Sequence, residues 1–373
     1  MDPIDKLKVL SEDSQYDMAC ACGTGNDDRR KRGKEGKWLY PVSLPRGGYS
    51  VLLKTLMSNA CSKDCKYCPL RSENNVKRCT LNPEEVARVF MEYYGRKIVF
   101  GLFLSSAVIH TPDHTMDKIN SVAALLRKKY GFRGYIHLKV IPGASDAAIA
   151  ESISLASAVS LNIETPGKEH FDLLSDRKDY MKDIIHPLKL MSRLTGRGMR
   201  HSRVKCTTQF IVGASNEKDV EIIKYMTGLY DRLKFQRVYF SAYQQGLGSP
   251  EIPGEKRFLS DPEQPFMREH RLYQTDFLLR KYGFSGKEIP LGQDGNLRLD
   301  KDPKEAWAEE HPEFYPVRIN RADREELLRV PGIGHVTVER ILKYRSDVKI
   351  RRLDKLGLKG KRLEKVRGYV VCE

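Results

Sequence analysis

The chain has 373 residues, enough for one domain with a sizeable core and something smaller beside it. Its apolar share of 40% and charged share of 31% exclude a disordered chain, and no apolar run reaches the roughly 18 residues of a membrane span. The formal net charge of +16 and pI of about 9.4 point to a polyanionic partner, because neutralising phosphates releases counterions. The N-terminus mixes acids and bases without an apolar stretch, so no secretory signal is read and the expected location is cytoplasmic or nucleoid-associated. Eight cysteines in such a compartment are expected as reduced thiols or metal ligands rather than disulfides.

In chain order, residues 1–48 read as an irregular, basic extension. Cys20 and Cys22 lie here and read first as reduced thiols, with a second cluster or metal, shared with Cys79, or a place in the floor of the site as the alternatives. The block Arg29, Arg30, Lys31, Arg32, Lys34 and Lys37 is either a solvated face or a phosphate-contacting arm. Strands are predicted at 49–58, 97–105, 134–141, 158–164, 206–213 and 236–243. Helical spacing fills the gaps at 82–95, 115–131, 145–157, 167–194 and 216–230. Six such β–α units over 49–244, with strands apolar on both faces, predict an α/β fold. Its parallel sheet is covered by helices and rolled by right-handed crossovers into a partial (β/α)6 barrel. Function in such folds gathers on loops at the C-terminal strand ends. Cys206 opens a strand and reads as core, and Cys372 lies in the tail.

Residues 245–316 are rich in Gly, Pro and acids, with one helix around 267–283, and read as a connecting segment packed on the barrel. Residues 317–373 change character. VPGIG at 330–334 fits the tight turn between two short helices, and a weak repeat follows at a spacing of 25. Leu328 matches Leu353, Gly332 matches Gly357, Ile333 matches Leu358, and Ile341 matches Val366. Lys359 stands where the first copy has Gly334. Two such units predict a small all-α tandem module.

NACSKDCKYCPLR at 59–71 places Cys61, Cys65 and Cys68 in C-x3-C-x2-C spacing, on the loop after the first predicted strand. Structural zinc wants four ligands, and only Cys79 is near enough to supply the fourth. Three incidental cysteines in a polar loop are the bland reading. Thiolates are soft ligands that suit iron–sulfur centres. Three of them on a [4Fe–4S] cluster leave one iron for a small molecule with an amine and a carboxylate.

The triplet, with Tyr67 before its last cysteine and a parallel β/α setting, resembles the radical S-adenosylmethionine superfamily. The resemblance implies a [4Fe–4S] cluster on Cys61, Cys65 and Cys68. It also implies S-adenosylmethionine as the fourth-position ligand, cleaved by one electron to methionine and a 5′-deoxyadenosyl radical. It suggests cofactor contacts from Tyr67; from Ser105 and Ser106, where the superfamily carries a Gly/Glu-rich motif; and from Asn162, Glu164, Gly213 and Ser241. A closer likeness, over YDMACACG, KYCPLR, GLFLSSAVI, REHRLYQTDFLLRKYGF and NLRLDKDPKEAWAEEHPEFYPVRINRADREELLRVPGIG, is to a subgroup assigned from its domains to DNA modification or repair. That subgroup carries a C-terminal helix–hairpin–helix. It implies an electron donor of flavodoxin or ferredoxin type and a uracil-DNA-glycosylase-like partner.

Hairpins of the VPGIG kind bind nucleic-acid backbone, because glycines let amides approach a phosphate at a helix N-terminus. Gly332, Ile333 and Gly334 are the expected amide donors, flanked by Arg340, Lys343 and Arg345. Residues 317–373 hold sixteen Lys and Arg against eight Asp and Glu, a net of +8 and half the chain's excess. DNA is the expected partner; RNA, protein contact and a zinc-stabilised DNA-binding protein without chemistry are the alternatives.

Overall fold

The computed structural model describes residues 2–14, 36, 38–43, 48–259 and 261–373. Cys20, Cys22 and the basic residues between 29 and 37 lie outside the described residues. The chain divides into two compact units, Met1–Glu217 with Gly228–Glu269, and Lys218–Thr227 with His270–Glu373.

The first unit is built on a seven-stranded sheet whose strands follow one another in chain order. They are β1 (Leu39–Ser43), β2 (Tyr49–Leu56), β3 (Gly101–Ser105), β4 (Tyr135–Lys139), β5 (Ala158–Ser160), β6 (Lys205–Val212) and β7 (Arg237–Ala242). β2 to β7 are parallel, and β1 runs antiparallel beside β2. The sheet curls into a half-barrel, the architecture expected for the radical S-adenosylmethionine type. All six predicted strands form, in the predicted order.

Local chemistry sets the crossover helices. Asn82 and Glu85 make a reciprocal capping box at the start of Pro83–Gly95, whose Val86, Val89, Phe90 and Tyr93 are buried. Thr111 and Ser145 cap Pro112–Ala124 and Asp146–Leu155 by accepting the amides of His114 and Ala148, without the reciprocal bond.

In the first unit, two features differ from the sequence reading. Residues 1–48 are not uniformly irregular. Pro3–Asp13 is a helix capped by Asp2 that buries Leu7 and Leu10, and β1 forms with Pro41 on the sheet edge, where its missing N–H costs no ladder bond. The strands are also not apolar on both faces. The outer row, including Leu102, Leu104, Ile136, Leu138, Val159, Phe210, Val238 and Phe240, is apolar and almost wholly buried. The inner positions alternate with it and are largely polar, because a half-barrel leaves its concave face open.

The second unit has one apolar core that unites both halves of the repeat. Leu328, Val330, Ile333, Val338 and Ile341 pack with Leu353, Leu356, Leu358 and Val366. The first hairpin joins Arg324–Arg329 to His335–Asp347. The second joins a 3-10 turn, Leu353–Leu356, to Gly360–Arg367. Gly332 at φ +82° and Gly357 at φ +74° occupy equivalent turn positions in the left-handed region that favours glycine. The module is not purely helical: Val317–Arg318 and Val370–Val371 pair as a short parallel ladder that ties its ends together.

Candidate functional site

The three cysteines follow β2 on a loop held mainly by hydrogen bonds. Arg78 organises it. Its guanidinium donates to the carbonyls of Leu70, Arg71 and Asn74, each at 2.8 Å, and also to that of Asn59. Asn59 in turn accepts from the Cys79 amide at 2.7 Å and donates to Asp13 Oδ2 at 2.6 Å. The amides of Lys63 and Leu70 lie 3.4 Å from the sulfurs of Cys61 and Cys68. Such N–H to sulfur contacts orient thiolates and tune the centre they hold.

Asp64, inside the triplet, fixes a second loop against the first. It is buried and accepts from Ser175 Oγ at 2.7 Å and from the amides of Asp176 and Arg177 at 2.7 and 3.1 Å. Burial works against its charge, yet these bonds outweigh it and hold the carboxyl below its ordinary value. The captured loop delivers Lys178 to the Cys65 thiol. Burial disfavours the Lys178 ammonium, but Cys65 and Glu164 outweigh that and raise its pKa.

One cavity at the C-terminal ends of the strands gathers these groups. Cys61, Cys65 and Cys68 line it together with Tyr67, Ser105, Ser106, Asn162, Glu164, Lys178 and Ser241. Every cofactor-contact residue expected from sequence is therefore present except Gly213. That glycine directly follows β6, at φ +90°, and gives its amide to Glu217 Oε1 at 2.7 Å. Glu164 is 7% exposed and sits at φ +64°, a left-handed conformation that costs a non-glycine residue about 1–3 kcal/mol. Its carboxylate faces Tyr67, whose phenol is raised by burial and then by that charge.

Burial, then the neighbouring Cys65, pushes Cys68 up to about 12, and burial raises Cys65. Thiols this close and this dry keep their protons until a cationic centre replaces them. Among the described residues, no three His, Cys, Asp or Glu side chains converge on a point suited to a single metal ion. In an iron–sulfur cluster each thiolate takes its own iron, and thiolates are the soft ligands such a centre uses. The donor set fits a cluster.

Lys178, Arg78 and Asp64 escaped the sequence reading. Only Asp64, an acid enclosed by the triplet, carried a local signal.

In the second unit, Gly334 is the N-cap of the helix His335–Asp347, and its carbonyl accepts from the amides of Thr337 and Val338, which leaves the amides of His335 and Val336 without an intrahelical acceptor. Ile333 is a core side chain, and its carbonyl accepts from Lys304 Nζ at 2.6 Å. Arg362 Nε donates to the Gly332 carbonyl at 2.6 Å, and its Nη2 reaches Thr337 Oγ1 at 2.9 Å. Arg340 and Lys343 are exposed as expected. Arg345 instead donates inward, to the carbonyls of Ile319 and Ala322 at 3.1 and 2.6 Å. Lys304 is 7% exposed, its ammonium 4.7 Å from the Tyr282 ring centroid. Burial drives its pKa down to about 7, with Asp302 opposing and Arg362 adding to the fall.

No helix among the described residues is long and apolar enough to cross a membrane. In sequence, the helix-hairpin-helix motif matches residues 316–344, and no curated protein matches the chain. In structure, the chain is similar to methylornithine synthase (PylB), at 14% identity over 60% of this chain and 62% of that one, with a TM-score of 0.46. It is similar to the FeFe-hydrogenase maturase HydG from Carboxydothermus hydrogenoformans, at 15% over 85% and 76%, TM-score 0.45. It is also similar to Streptococcus suis SuiB bound to S-adenosylmethionine, at 14% over 62% and 49%, TM-score 0.46. The chain thus spans less than two thirds of the length of the first and about half of the third. What it does is read from its own residues.

Proposed function

We propose that the chain is a radical S-adenosylmethionine enzyme that modifies or repairs DNA. One observation carries this reading: the three cysteines of a C-x3-C-x2-C loop and an opposed Glu164 and Lys178 line one cavity at the C-terminal ends of parallel strands. Cys61, Cys65 and Cys68 would hold the [4Fe–4S] cluster. When bound, the cluster and S-adenosylmethionine supply one-electron cleavage to methionine and a hydrogen-abstracting 5′-deoxyadenosyl radical. Glu164 would take the methionine amino group and Lys178 the carboxylate, each by opposite charge in a partly dry cavity. Ser105, Ser106, Asn162 and Ser241 add neutral hydrogen-bonding groups around the same space, and the half-buried Tyr67 helps shield it from water.

The helix–hairpin–helix match and the basic excess of its segment support a nucleic-acid substrate, held by backbone amides and surface cations rather than by base reading. A base inside a duplex cannot reach a barrel interior, so the target is flipped, damaged or single-stranded. The electron donor is of flavodoxin or ferredoxin type, and a uracil-DNA-glycosylase-like protein is a candidate partner.

The test is 5′-deoxyadenosine release from the anaerobically reconstituted chain with reductant, with and without duplex or single-stranded DNA. Release that rises with DNA is expected. Release that rises with tRNA and not with DNA moves the substrate to RNA. No release from a chain with full iron and sulfide content refutes the enzyme reading.

A further inference from the structure

The parallel register arranges inward-facing side chains of the first unit in rows. Leu56 pairs with Ser105, Lys139 with Ser160, Ser160 with Thr207, and Thr207 with Arg237. Leu56, Ser105 and Lys139 line the cysteine cavity, which fixes this row on the concave face. A row nearer the N-terminal strand ends runs from Lys54 through Phe103 and His137 to Lys205. The contacts agree with the register. Lys54 Nζ lies 5.2 Å from the Phe103 ring centroid, the Phe103 and His137 rings are 4.4 Å apart, and His137 Nε2 is 2.9 Å from Ser160 Oγ.

These two rows carry four Lys and Arg, one His and no carboxylate. Rows of one sign between low-dielectric walls focus the field on an opposite charge. Two polar atoms in the upper row are buried with no hydrogen-bond partner among the described residues: Thr207 Oγ1 and Arg237 Nε. Thr207 is 7% exposed. A buried donor left unmade costs more than a hydrogen bond returns, so a native fold that keeps two side by side holds them for something else. An N–H and a hydroxyl at the same level on adjacent strands, with the Lys139 ammonium in the same row, make a donor set for an oxyanion. Half-exposed Phe103, Tyr135 and Tyr239 share this face, and the Arg237 guanidinium lies 5.2 Å from the Tyr239 ring centroid. Flat apolar surface beside donors suits a nucleotide, whose base has a π-face and whose phosphate takes several hydrogen bonds.

We propose that Thr207, Arg237 and Lys139 form a phosphate subsite on the concave face of the half-barrel, which anchors a phosphoryl group of the nucleotide substrate on the N-terminal side of the cysteine cavity. The subsite names the substrate chemistry of the enzyme proposed above and rests on that reading. It would hold the reacting unit by its backbone while the sugar or base faces the cofactor. It acts separately from the hairpin module, so each has its own mutational signature.

The test titrates inorganic phosphate and 2′-deoxynucleoside 5′-monophosphates into the full chain, followed by calorimetry and thermal unfolding, and compares Thr207→Val and Arg237→Lys. Valine keeps the shape of threonine and removes an unsatisfied hydroxyl, so T207V is expected to fold at least as stably as the unaltered chain. The monophosphate raises the unfolding midpoint of the unaltered chain, and each variant binds it about tenfold more weakly. Absence of monophosphate binding, or equal affinity in T207V and the unaltered chain, overturns the subsite. Reductive cleavage of S-adenosylmethionine by the unaltered chain is measured in the same preparation. Cleavage without any monophosphate effect removes the subsite alone, whereas no cleavage from a loaded cluster removes the reading beneath it.

Discussion

Arg78→Met is expected to strip the chain of its cluster while leaving the sheet folded. The guanidinium bonds four carbonyls of the segment that carries the cysteines, those of Asn59, Leu70, Arg71 and Asn74. A hydrogen bond from a charged donor contributes roughly 1.5–3 kcal/mol, but Arg78 is half-buried and water recovers part of that, so about 1 kcal/mol per bond is a fair figure. Four bonds give about 4 kcal/mol, or about a thousandfold in the population of the ordered loop. Methionine retains the aliphatic stem and no donors, and the β-strands make no use of Arg78. The assay is iron and sulfide per chain after anaerobic reconstitution, with chelator competition for affinity and circular dichroism for the fold. Loss of the cluster with an unchanged sheet signal is the expected result. Full cluster content with unchanged resistance to chelator would refute the claim that this residue orders the loop.

Cys65→Ala should abolish both cluster binding and S-adenosylmethionine cleavage; cleavage retained at any fraction of the original rate sinks the assignment of the triplet. Gly334→Val places a Cβ 3.0 Å from the Tyr282 hydroxyl and crowds the turn, so affinity for DNA should fall about tenfold, read by fluorescence anisotropy at fixed salt. Equal affinity would remove the hairpin from the interface. Lys304 has a folded pKa near 7, below its ordinary 10.5. The unfolded chain then binds more protons across that window, and stability should rise with pH between about 7 and 10.5, by up to a few kcal/mol. Chemical denaturation across this range should show the rise in the unaltered chain and a flatter profile in Lys304→Met. Asp64→Asn weakens the acceptor that holds the Ser175–Arg177 loop, and should raise the Michaelis constant for S-adenosylmethionine several-fold by loosening Lys178; an unchanged constant argues against that coupling.

The sequence by itself determined the order and direction of the six parallel strands, because each is a short β-prone run with an apolar outer row, set between stretches of helical spacing. It also determined the cysteine loop at a strand's C-terminal end and the repeat in the tail, whose glycines mark turns at φ +82° and +74°. Chemical identity and spacing are enough for such features, since they depend on neighbours along the chain. What only the tertiary structure decided depends on partners far apart in sequence. Lys178 reaches Cys65 through a loop that Asp64 captures more than a hundred residues away. Arg345, one of several basic residues on its helix, turns inward to two carbonyls while Arg340 and Lys343 stay exposed. The cations and the unsatisfied Thr207 and Arg237 of the concave face lie on separate strands, each modest by itself. Only the register sets them side by side, because a parallel sheet joins residues by strand order and pleat rather than by distance along the chain.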